Sequence, residues 1–204
     1  MLGDRPLTPE RARALLADMR SRPLNFDPAS VDRSDGWHVD DLSVPLARGS
    51  FERARAAMRR YEVADPAMVR AFYDEPEPQP GRTMLLELRF LGLRFALGVR
   101  VGEVYDELRQ VDGRAVRVGG WNYRTLEGHL EMGQLAWEVW EWQDTGAVEF
   151  HIHAFSRPAP TDNLVIGLGY RVIGRRQQLR FYRRACARMA ALTAGSGRPP
   201  ATCR

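Results

Sequence analysis

Lysine is absent: all 30 basic residues are arginine, which a GC-rich coding bias explains better than any arginine chemistry. Cysteine occurs twice. Cys186 lies among helix-like residues and Cys203 next to the last position, which is no disulfide framework and too few thiolates for a structural zinc site. A reducing, cytoplasmic setting is therefore expected. No apolar run approaches the roughly 18 residues of a membrane span, and the opening "MLGDRPLTPERARALLADMR" is charged and helix-like with no signal-peptide core. Neither export nor membrane insertion is expected. The chain also lacks a glycine-rich phosphate loop, a serine nucleophile elbow, a zinc-protease helix, an internal repeat and a βαβ rhythm. No cofactor is expected.

Charge of one sign is scarce as well. The net charge of +4 is the small difference between 30 basic and 26 acidic residues, which are interspersed except between Arg171 and Arg188. There Arg176, Arg180, Arg184 and Arg188 form a helical stripe that could meet an anionic partner. No aromatic side chains interleave it as a single-strand binder requires, so a solvated helix face takes precedence and nucleic acid is not favoured.

What is present fills one domain of 204 residues, 44% of them hydrophobic, enough to bury roughly 70% of the unfolded surface. Thr8 and Pro9 open an amphipathic helix over 9–20, with Ala12, Leu15, Leu16 and Met19 on one face. Residues 21–34 read as irregular, anchored by Leu24 and Phe26. "GWHVDDLSVPL" is a weak strand that Pro45 ends; Ser50 then caps a helix carrying Phe51, Ala54, Met58 and Tyr61, and a second short helix is expected over Pro66–Tyr73. From Arg82 to Phe155 the pattern changes to consecutive strands, with the Asp112-Gly113 pair as the strongest hairpin signal. In the last of them Val148, Phe150, Ile152 and Ala154 share the core face, and Glu149, His151 and His153 a face that is wet or lines a cavity. A long helix follows with Leu168, Val172, Leu179, Tyr182, Cys186 and Met189 as its apolar stripe; Gly167, Gly169 and Gly174 make its start irregular.

This order predicts an α+β fold: a curved antiparallel sheet of about six or seven strands wrapped around a long C-terminal helix, with two short helices after the first strand. The divisions are a helical extension over 1–23, one domain over 24–194 and a disordered tail over 195–204. An apolar cavity between sheet and helix is a common outcome of such packing.

"LNF", "GSFERARAAMRRY", "NYRTLEGHLEMGQ" and "VEFHIHAFSRPA" followed by an arginine-rich helix resemble the uncharacterised DUF1990 family, over roughly Leu24 to Leu192. Arg124 stands where relatives carry glycine, and Phe26 where tyrosine is usual. The resemblance implies membership of the START-like, birch-allergen-like helix-grip superfamily, whose common theme is binding of lipids, sterols or other apolar ligands, with occasional cyclase, hydrolase or transfer activity. It implies no reaction for this chain.

Among candidate site residues, Tyr123, Thr125, Glu127, His129 and Glu131 occupy alternate positions ahead of a tryptophan-rich run. A carboxylate beside an imidazole suits acid–base catalysis, so His129 and Glu131 are the catalytic candidates. The competing reading is a loop that uses Thr, His and Glu to satisfy its own backbone. Glu149, His151 and His153 form an E-x-H-x-H pattern able to ligate a metal, although a solvent-facing polar strand explains it more simply. Arg157 is expected either to pair with Glu131 or Glu127 or to hold an anionic ligand group. Trp137, with Leu135 and Val139, is core or cavity wall. The expected partner is a small apolar or amphipathic ligand, bound at Tyr123, Thr125, His129, Glu131, Trp137 and Arg157; an enzyme of the same fold and an anion-binding module are the alternatives. The sequence leaves the oligomeric state open.

Overall fold

Period-two alternation from Thr83 to Pro158 generates five consecutive antiparallel strands: β4 (Thr83–Phe90), β5 (Leu93–Val111), β6 (Arg114–Thr125), β7 (Glu131–Trp142) and β8 (Val148–Pro158). The computed structural model describes residues 2–32, 36–74, 78–90, 92–160, 164–194 and 203. The hairpin between β5 and β6 turns at Asp112 and Gly113, whose φ angles of 49° and 76° are those of a tight primed turn. An edge strand closes each side: β2 (His38–Leu46) pairs with β8, and β3 (Val69–Phe72) with β4. The order is β2-β8-β7-β6-β5-β4-β3, with the two-residue β1 (Leu2–Gly3) joined to β5.

Helices cover the sheet according to their apolar stripes. α2 (Phe51–Arg59) and α3 (Leu164–Thr193) pack on the inner face, against Trp137, Val139, Phe150, Ile152 and Ala154. α1 (Pro9–Arg20) packs on the outer face, where Ala12, Leu15, Leu16 and Met19 meet Leu85, Ala96 and Leu126 in a separate apolar cluster. Thr8 caps α1 through its side chain, which accepts from Arg11 N. At 30 residues α3 is about 45 Å long. It runs against β2, β8 and α2, burying Tyr182, Ala185, Cys186, Met189 and Ala190. The architecture is the α+β helix grip.

Several local expectations are corrected. Pro45 does not end its strand: β2 runs to Leu46 because it is an edge strand, where a missing N–H interrupts no ladder. Residues 66–73 are not helical. The Asp65 carboxylate accepts from Ala67 N and its carbonyl from Met68 N and Val69 N, forming a turn after which the β-formers Val69 and Phe72 enter the sheet. Ser50 precedes α2, yet its hydroxyl donates to Ala47 O instead of capping the helix. α3 is helical throughout from Leu164, including at Gly167, Gly169 and Gly174. Cys186 and Cys203 are joined in a disulfide, where no framework was expected. The side chains of Leu168 and Val172, and the tail 195–204 apart from Cys203, lie outside the described residues.

Candidate functional site

The inner face is aromatic at its centre. Trp121 on β6 and Trp137 on β7 are direct cross-strand neighbours, 1% and 0% exposed. Trp137 stacks on Phe150 at 5.9 Å and meets Tyr61 and Phe181 edge-on at 6.2 and 6.0 Å. Tyr61 follows α2 with φ 57°, a left-handed conformation that costs a bulky residue on the order of 1 kcal/mol. That turn drives its ring into the core against Trp121, with its hydroxyl 3.3 Å from that of Tyr123. Burial raises both phenol pKa values. Among the described residues neither Trp121 Nε1 nor Trp137 Nε1 has an acceptor, and each such buried donor costs about 1–3 kcal/mol.

The same layer becomes polar at one end. Both terminal nitrogens of Arg175 on α3 donate to the Asp40 carboxylate of β2, each at 2.5 Å. Arg175 also donates to Gln178 Oε1 at 2.7 Å, and the amide of Gln178 donates to Ser156 Oγ at 2.8 Å and Glu131 Oε2 at 3.2 Å. Asp40, Ser156 and Tyr182 are buried. The Tyr182 phenol is pushed up by burial and by the Glu131 and Asp40 charges.

Two of the anticipated residues, Tyr123 and Glu131, face this layer, and Trp137 forms its floor. Thr125 and His129 do local work instead. Thr125 Oγ1 donates to Asn25 Oδ1 at 2.7 Å and accepts from Gly133 N at 2.9 Å. His129 Nδ1 accepts from the Glu131 main-chain N at 3.0 Å and does not meet the Glu131 carboxylate in that bond; burial lowers its pKa to about 4, so the ring is neutral. Arg157 lies 4.6 Å over the ring of Trp37, which packs with Phe26 and Phe155. Its environment there is aromatic. The sequence reading missed Asn25, which binds both Thr125 and Glu131 O; its position inside the "LNF" motif was the available signal.

The outer face carries a second constellation. Glu138, buried on β7, accepts from Tyr105 Oη at 2.6 Å and Arg109 Nη1 at 3.0 Å through one oxygen, and from Trp140 Nε1 at 2.6 Å through the other. His153 Nε2 lies 3.5 Å from that second oxygen, and its Nδ1 is 2.6 Å from Asp41. Glu138 is held down at about 2: burial opposes ionisation, but bonds from His153, Tyr105 and Trp140 overcome it. His153 is raised by Glu138 above all, against its own burial. His151 stacks on Trp140 at 4.1 Å and bonds Glu149 at 2.9 Å. Thus Glu149, His151 and His153 do not converge on one point, and no group of three ligating side chains among the described residues is placed to hold a metal ion. Tyr105, Arg109, Glu138, Trp140 and His153 line an open groove of about 660 Å³, together with Glu103, Val104, Glu107, Asn122, Gln134 and Ala136.

Comparison with known proteins agrees with the architecture. None of the curated proteins matches the chain. A crystal structure described as hypothetical protein jhp0584 from Helicobacter pylori superposes with a TM-score of 0.50 at 12% identity, covering 78% of this chain and 89% of that one. Ara h 8.0201 gives 0.43 at 7% identity, covering 77% and 98%. An uncharacterised protein from Rhizobium leguminosarum gives 0.43 at 11% identity, covering 77% and 94%. The family described as "Domain of unknown function (DUF1990)" matches residues 27–188, spanning β2 through most of α3, and the chain belongs to that family.

Proposed function

We propose that the protein binds one small amphipathic, lipid-like molecule between the inner sheet face and α3. The observation that carries this reading is the facing pair Trp121 and Trp137, two buried indole donors without acceptors among the described residues, beside the Tyr61–Tyr123 hydroxyl pair. A carbonyl, carboxylate or hydroxyl oxygen of a ligand satisfies such donors, while Phe150, Met58 and Met189 surround its apolar part. Glu131, Gln178 and Arg175 form the polar end of the same layer. In this reading Thr125, His129 and Arg157 hold the rim and make no ligand contact.

Native mass spectrometry of detergent-free protein tests the proposal. It should reveal a single noncovalent adduct removed by organic extraction, and the extracted protein should then enhance anilinonaphthalene sulfonate fluorescence with saturation at one site. An unadducted mass before extraction together with no saturable dye response would rule the reading out.

A further inference from the structure

The outer-face groove lies on the side of the sheet away from Trp121 and Trp137, so it is independent of the inner layer. Its shape follows from two adjacent rungs across the strands. One rung runs Tyr105, Gly120, Glu138, His151; the next runs Asn122, Ala136, His153, Asp41. Small residues occupy the middle of both. A Cβ on Gly120 would lie 2.8 Å from the Tyr105 ring and 3.1 Å from Glu138 Cγ, so only glycine lets that tyrosine lie across the strand to reach the carboxylate. Ala136 leaves the floor of the second rung low. A β-bulge at Gly102 and Glu103 bends β5 at the rim; buried Asn122 plugs it, accepting from Glu103 N and donating to Glu103 Oε2.

Carboxylates outnumber cations in the groove, Glu103, Glu107 and Glu138 against Arg109 and His153, but each is already engaged, Glu103 by the Asn122 amide and the others by ion pairs. Arg109 joins Glu107 and Glu138, and His153 lies between Glu138 and Asp41. An added ion of either sign would disturb these pairs at a desolvation cost. Hydroxyl groups, which donate and accept at once, extend a network of carboxylate, guanidinium, phenol and amide groups with no such cost. The half-buried rings of Tyr105, with Arg109 4.9 Å over it, and Trp140, stacked on His151 at 4.1 Å, contribute the remaining apolar surface beside these polar groups, the combination needed for a ring whose faces are C–H and whose rim is O–H. Burying an ionised carboxylate on an outward sheet face, with four donors around it, is the kind of expense that accompanies binding sites more than packing.

We infer that this groove binds a neutral saccharide, with Tyr105, Arg109 and Gln134 as its hydrogen-bonding edge and Trp140 as its apolar wall. Saturation-transfer NMR of the full chain with cellotriose, maltotriose and chitotriose at millimolar concentration tests it, with inorganic phosphate as the ionic probe. At least one trisaccharide should receive saturation. Tyr105→Phe, which removes one hydroxyl, should weaken that trisaccharide about fivefold. Ala136→Ile, which raises the floor, should abolish its binding while the folded spectrum is retained. Should Ala136→Ile fail to fold, Gln134→Ala replaces it and should weaken binding to a similar degree as Tyr105→Phe. Absence of transfer to all three sugars, transfer indifferent to the folded variants, or amide shifts around Tyr105 and His153 with phosphate alone would overturn the inference.

Discussion

Arg175 grips Asp40 with both terminal nitrogens, and this bridge helps tie α3 to the edge strand β2. Asp40 is 7% exposed and the Arg175 side chain 32%, so the pair is only partly screened. Asp40→Asn should destabilise the fold by roughly 2 kcal/mol, less than a fully buried pair because Arg175 retains water. Urea unfolding measures the loss, and hydrogen exchange should quicken over residues 174–182.

The Tyr61–Tyr123 hydroxyl contact makes a narrower prediction. Tyr61→Phe keeps the ring and the left-handed backbone but strands the Tyr123 hydroxyl in the core. The expected cost is about 1 kcal/mol, read as a lower urea midpoint with an unchanged slope.

His129 gives an acid-side signature. Its folded pKa of about 4 lies below the ordinary 6.5, so the unfolded chain takes up the proton first. Its contribution to stability is therefore complete above pH 6.5 and is lost as pH falls towards 4. Histidine-ring NMR should show a neutral His129 with its proton on Nε2 at pH 6. His129→Gln should flatten the stability profile across that window.

On the outer face the signs oppose one another. His153 is raised above 6.5, so its contribution is complete below pH 6.5 and is lost as pH rises through the folded value. Glu138 is lowered from 4.5 to about 2, so its contribution is present above pH 4.5 and lost as pH falls through about 2. His153→Asn should remove the alkaline loss and also shrink the acid loss, because His153 is the first of the bonds that hold Glu138 down, as thermal melts across the pH range can read.

The Cys186–Cys203 bond predicts an intact mass, without reductant, lower by two hydrogens than after reduction and alkylation correction. Cys203→Ser should abolish that difference.

The sheet was readable in the sequence because its signals are local and periodic. The Asp112-Gly113 turn, and the division of β8 into Val148, Phe150, Ile152 and Ala154 against Glu149, His151 and His153, both stand as expected. Residues 66–73 were misread because a four-residue strand carries too short a period to separate from a helical turn, and pairing with β4 decided the matter. Trp137 and Tyr123 lie on the inner layer. The partners that build the polar end do not come from one segment: Asp40, Glu131, Ser156 and Gln178 meet only when β2, β7, β8 and α3 are assembled. The Glu138 cluster is hidden for the same reason, since Tyr105 and Glu138 meet across Gly120, a residue with no side chain to announce it.

The most direct test of the inner-layer account is the pair of indole N–H resonances of Trp121 and Trp137 in ligand-free, extracted protein titrated with anilinonaphthalene sulfonate. Both should move together and saturate at one equivalent, and Trp137→Phe should weaken the dye at least about tenfold, as loss of one charge-assisted donor implies. If both resonances stay fixed while the dye binds elsewhere or not at all, the inner layer is packed core and the account is contradicted.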